Sequence, residues 1–196
     1  MPRHVSQLEM RLRPAPRWGG WRENAGRKRS PDSGMPHTSR DGFSSTLPIH
    51  VTIRLLPDLL SLRTKKLVRA LERTFAAGCD RSSFRLVHYS LLGNHAHLIV
   101  EAHDQHALGR GMMAIGSRLA LAVNRVMGRK KGRVVADRYH ARMLRTPREV
   151  RNALRYVLLN ARRHAAASAR KARRAMEVAL DPASSARWFD GWKPAS

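Results

Sequence analysis

Cysteine is almost missing from this chain of 196 residues: Cys79 stands alone, so no intrachain disulfide can form and a reducing compartment is the natural setting. A lone thiol of this kind reads as a small buried hydrophobe rather than a nucleophile. No apolar run approaches the roughly 18 residues that a membrane span needs, and the N-terminus lacks the apolar core of a signal peptide. A soluble cytoplasmic protein is expected. Acidic residues are scarce as well: 14 Asp and Glu stand against 38 Lys and Arg, giving a formal charge of +24 and a pI near 11.8. A compact chain so charged repels itself, and a polyanionic partner relieves that repulsion. Nucleic acid therefore leads over a membrane surface or an acidic protein as the partner class.

The prolines are unevenly spread. Residues 1–47 hold half of the ten, and stretches such as "RPAPRWGGWRENAGRKRSPDSG" show no sustained helical or strand period. This segment reads as a basic, mostly disordered arm. Its Trp18 and Trp21 sit among arginines, where they either stack on bases or have no defined role. Regular patterning begins at Pro48 and continues over residues 48–165, the expected folded domain. Residues 166–196 read as a helical extension and a tail in which Trp188, Phe189 and Trp192 can pack back.

Within the domain, "IHVTIRLL" alternates with Ile49, Val51, Ile53 and Leu55 on one face, as in a half-buried strand. Leu67, Val68, Leu71 and Phe75 then recur at helical spacing, with Gly78 as a stop. "FRLVHYSLL" and "HAHLIVEA" read as strands joined by a turn at Gly93 and Asn94, hence an antiparallel pair. A second helix carries the stripe Leu108, Met112, Ile115, Leu119, Val123 and Val126, its methionines serving as core filler. After a basic loop, "VVADRYHARML" reads as an irregular strand. A third helix opens at "TPREV", where Thr146 caps, Pro147 takes the first turn and Glu149 completes a capping box. The order matches a ferredoxin-like α+β domain, β-α-β-β-α-β, with an additional C-terminal helix.

One strand face is oddly polar. In "GNHAHLIVEA", period two sends His95, His97, Ile99 and Glu101 to one side and Ala96, Leu98 and Val100 to the other. Paired histidines two apart either bind a metal or act as ordinary hydrogen-bonding groups. Glu101 either steadies a ligand or forms a surface salt bridge. On the third helix Tyr156 and Asn160 lie one turn apart, beside the core stripe Val150, Leu154, Val157, Leu158 and Ala161. They are an edge pair meeting water, or a phenolate nucleophile with an oxygen ligand beside it. The second reading requires the helix to lie over the polar strand face. A His-x-His hydrolase barrel is excluded by size, since such barrels need about 250 residues.

"GNHAHLIVEA", followed by "ADRYHARMLRTPREVRNALRYVLLNARRH", resembles the HUH single-tyrosine transposase family, and within it the REP-associated tyrosine transposase-like proteins. The likeness spans about residues 48–165. It implies that His95 and His97 are metal ligands, Tyr156 the nucleophile and Asn160 the third metal ligand. It further implies magnesium or manganese as cofactor, single-stranded or hairpin DNA as partner, a 5′-phosphotyrosine intermediate, and a monomer or a homodimer. Arg138, Arg142 and Arg145, with Arg129, Lys130, Lys131 and Arg133 in the preceding loop, are candidates for phosphate contact. His140 has no assigned role. Two rivals share the charge: a catalytically silent DNA-binding protein of the same fold, and a ribosomal-type RNA-binding protein that would leave the tyrosine and histidines without a job.

Overall fold

The computed structural model describes residues 43–77, 80–168 and 180–192. Residues 1–42 of the basic arm, with Trp18 and Trp21, the helix stop at Gly78, and Cys79 lie outside the described residues. The elements are β1 (Ile49–Arg54), α1 (Lys65–Ala76), β2 (Asp80–Arg81), β3 (Phe84–Leu91), β4 (His95–Ala102), α2 (Gln105–Val126), β5 (His140–Met143) and α3 (Pro147–Ser168). The five strands form one antiparallel sheet in the order β2-β3-β4-β1-β5. Apart from the two-residue β2, this is the ferredoxin-like arrangement with α3 added. No helix among the described residues is long and apolar enough to cross a membrane.

Alternation along the strands divides the molecule into layers. Ile49, Val51 and Ile53 of β1 and Ala96, Leu98 and Val100 of β4 face the main core, with Leu67 and Leu71 of α1 and Met112, Ile115 and Leu119 of α2. Burying each such large side chain contributes about 1.5–3 kcal/mol. α2 starts at Asp104, whose carboxylate accepts from the Ala107 N–H at 2.6 Å. It comes close to β3 at Gly111, where a Cβ would run into the ring of Phe84.

α3 covers the opposite face through a small second core, in which Ala153 and Val157 pack on Ile99 and Leu144. Its start is fixed locally. The Thr146 hydroxyl accepts from the Glu149 N–H at 3.2 Å and the Glu149 carboxylate accepts from the Thr146 N–H at 3.2 Å, a reciprocal capping box. The same carboxylate takes the Arg145 N–H at 2.7 Å and the Arg142 guanidinium at 2.5 Å, and these bonds hold it below the usual carboxylate range. Thr146→Ala is expected to destabilise the protein by about 1 kcal/mol, within a range of 0.5–2. Urea unfolding followed by circular dichroism measures this directly.

The strand expected over "VVADRYHARML" is shorter than its sequence pattern. Leu55 pairs with Val135 and Thr52 with His140, so three steps along β1 match five along the partner. The two surplus residues lift the segment 137–139 off the ladder, and β5 proper begins only at His140. On the other side, residues 183–185 lie along the end of β3: the Leu91 N–H donates to the Ala183 carbonyl at 2.8 Å, and the Tyr89 N–H to Ser185 Oγ at 3.0 Å. Asp181, almost fully buried, anchors this segment by accepting two bonds from Arg63, at 2.8 and 2.9 Å. Phe189 packs on His88 with ring centroids 5.5 Å apart.

Candidate active site

Cross-strand register builds the face that α3 covers. Residues directly opposite in neighbouring strands point the same way. Ser90, His97, Thr52 and His140 therefore form one row, His88, Ile99, His50 and Arg142 the next, and His95 sits opposite Arg54. Three histidines from two strands thus come together beneath α3. The rings of His95 and His97 lie 4.9 Å apart, those of His97 and His50 5.3 Å.

α3 delivers Tyr156 into this cluster. Its ring meets His97 edge-on at 4.9 Å and His50 at 5.9 Å, and its hydroxyl lies 3.3 Å from His97 Nε2. His97 is only 5% exposed, and its other nitrogen, Nδ1, lies 3.1 Å from Thr52 Oγ1. In the tautomer protonated at Nδ1, that nitrogen donates to Thr52 and Nε2 keeps the lone pair that accepts from Tyr156. His95 is held at Nδ1 by Asn94 Oδ1 at 2.9 Å. Burial first, and then the nearby His140 and Arg142, lower the pKa of His50.

Asn160 lies one helical turn beyond Tyr156 and is 1% exposed, with its Nδ2 unpartnered among the described residues. A buried amide without a partner costs about 1–3 kcal/mol, so the position is not explained by packing alone. Among the described residues, no three His, Cys, Asp or Glu side chains meet as a metal cage. Any metal at this face would therefore need donors beyond these residue types.

Comparison with known proteins adds a likeness of fold. No family model and no curated protein matches the chain. Two solved transposase structures resemble it. One, a REP-associated tyrosine transposase bound to a REP hairpin, aligns at 17% identity over 65% of this chain and 73% of its own, with a TM-score of 0.48. The other, a chain from Deinococcus radiodurans R1 classed as a transposase, aligns at 14% identity over 61% of this chain and 94% of its own, with a TM-score of 0.44.

The basic candidates are scattered around this centre. Arg142 lies beside His50 on β5 but is ion-paired with Glu149 at 2.5 Å. Arg138 stands in the raised segment before β5, its N–H on the Asp137 carboxylate at 2.7 Å. Arg145 is exposed just before α3. Arg129, Lys130 and Lys131 follow α2, in the layer on the far side of the sheet. That loop is tied down by Asn124, which donates to the Gly132 carbonyl at 3.0 Å and accepts the Arg129 N–H on its own carbonyl at 2.8 Å. Arg133 bonds the carbonyls of Val135 and Ala136 and so shapes the chain. Glu101 is ion-paired with Arg85, four residues or about 13 Å along β4 from His97. His50 and Thr52 were not among the sequence candidates. Their signal was the polar half of β1, which joins the site only once the β1–β4 register is known.

Proposed function

We propose that the chain is a transposase-like enzyme that nicks and rejoins single-stranded DNA near a hairpin, with Tyr156 as nucleophile. The observation that carries this reading is the contact of the Tyr156 hydroxyl with His97 Nε2, in a cluster where Thr52 orients the imidazole from behind. Tyr156 Oη attacks the scissile phosphorus in line; the Oη–P bond forms and the P–O3′ bond breaks. The products are a 5′-phosphotyrosine and a 3′-hydroxyl, the phenolic proton in effect passing to the leaving oxygen. The phosphotyrosine conserves the bond energy, so a 3′-hydroxyl can reverse the step without ATP. A phenol, with an ordinary pKa near 10, is a far better leaving group in that reversal than a sugar alkoxide.

His95, His97 and Asn160 Oδ1 are the groups that would hold magnesium or manganese, Asn160 being buried one helical turn beyond Tyr156. A donor set this small suits an ion that completes its sphere with water and phosphate oxygens. When bound, the cation supplies positive charge at a non-bridging oxygen of the scissile phosphate. His97 Nε2 has one lone pair, so it serves either the Tyr156 hydroxyl or a cation. In the metal-free protein it holds the nucleophile in place.

The test is incubation of the protein with labelled hairpin-bearing single-stranded DNA and manganese. A denaturant-stable protein–DNA adduct is expected, together with a shortened strand. Failure to form an adduct at any magnesium or manganese concentration would leave a DNA-binding protein without catalysis. Thr52→Val is expected to raise the manganese concentration for half-maximal adduct about 10–100-fold, as loss of a hydrogen bond behind a ligating histidine does elsewhere. A titration curve identical to wild type would remove Thr52 from the site.

A further inference from the structure

Arginines outnumber acids on α3 by five to one, with Glu149 the single carboxylate over Pro147–Ser168. Arg148, Arg151 and Arg155 are all exposed, and none has a hydrogen bond or ion pair among the described residues. At spacings of three and four they form one row on the helix, about 10 Å long, with Arg155 adjoining Tyr156. The helix gains nothing from this row. Like charges one turn apart weaken a helix, and cations in its first turns oppose the helix dipole. Glu149 offers no relief, being committed to Arg142 and the cap.

We propose that Arg148, Arg151 and Arg155 form the track that holds the sugar–phosphate backbone of the DNA strand leading to Tyr156. The length of the row matches three phosphate-to-phosphate steps of a stacked strand, at about 3.4 Å each. The row lies outward on α3 while Ala153 and Val157 face the sheet, and Tyr156 sits on the flank between them. A strand following the arginines therefore runs beside the nucleophile, and its bases stay free of the track. The arginines bind phosphate and so carry affinity without sequence information. The role of Tyr156 rests on the function proposed above; the binding of the strand rests on the charge of the row alone.

The test compares wild type, R148Q/R151Q/R155Q and K66Q/R69Q/R73Q in binding a fluorescent hairpin-bearing single strand by anisotropy across a salt series. The second triple removes equal charge from exposed positions of α1, in the layer on the other side of the sheet. Each phosphate that a single-stranded ligand has neutralised adds about 0.7 to the slope of log K against log salt, so that slope is expected to fall by about 2 for the α3 variant and by less than about 0.7 for the α1 variant. Glutamine favours helix and relieves the repulsion, so the α3 variant should melt no lower than wild type. An unchanged slope for the α3 variant, or an equal fall for the α1 variant, overturns the track. Adduct formation by wild type is scored separately. A reduced slope with no adduct refutes the chemistry and keeps the track; an adduct with an unchanged slope does the reverse.

Discussion

Tyr156→Phe is expected to abolish the covalent protein–DNA adduct while leaving the fold and DNA binding intact. Phenylalanine keeps the ring that meets His97 and His50 edge-on and deletes only the hydroxyl that contacts His97 Nε2. The stability change should stay within the 0.5–1.5 kcal/mol typical of one hydrogen bond. The change in rate is of another order, because no other atom of the side chain can form the bond to phosphorus. Removing the nucleophile of an enzyme that works through a covalent intermediate costs at least about 10⁴-fold. The chain has three tyrosines, which sharpens the outcome. Tyr89 is 5% exposed in the main core, and burial pushes its hydroxyl pKa far up, so it is no substitute. Tyr139 stands half-buried in the segment before β5. Adduct formation that persists in Tyr156→Phe and disappears in Tyr139→Phe would move the nucleophile there and sink the present assignment.

How far the sequence reaches depends on the range of the interactions involved. α1 shows at once because Leu67, Val68, Leu71 and Phe75 all face one core, and the start of α3 shows because its cap lies within four residues. The polar side of β4 was equally plain from alternation. What it faces was not, because His50 and Thr52 reach His97 across a strand boundary some 45 residues away in sequence. Register of that kind is set by the whole sheet. The same limit explains β5: its pattern looks continuous, and only the pairing of Leu55 with Val135 and of Thr52 with His140 reveals the two surplus residues. Glu149 was legible as a capping residue but not as the partner of Arg142, an ion pair that ties that arginine to the α3 cap. The docking of residues 183–185 along β3 leaves no period to read, since it satisfies a strand edge with irregular chain.

His97→Gln should be nearly as damaging to the chemistry as loss of the tyrosine, and for a reason that can be separated from folding. His97 is the central ring of the cluster, within 5.3 Å of His50 and 4.9 Å of both His95 and Tyr156. Glutamine keeps much of the volume but cannot offer one nitrogen to Thr52 and the other to Tyr156 or a cation along the same line. A fall in adduct formation of at least about 10³-fold is expected, at a stability cost of about 1–3 kcal/mol for the polar groups left unpaired. DNA binding should remain within about threefold of wild type, since the arginine row proposed to hold phosphate lies elsewhere, on the outer face of α3. Thr52 touches the chemistry only through His97, so the two substitutions must not add. Thr52→Val is expected to alter the manganese response in the wild-type background and to change nothing further in His97→Gln, which a double-mutant cycle measures. Independent, additive effects would mean that Thr52 acts on DNA or on Tyr156 by another route, and the polar row Ser90, His97, Thr52 and His140 would then be a surface for substrate rather than the support of one imidazole.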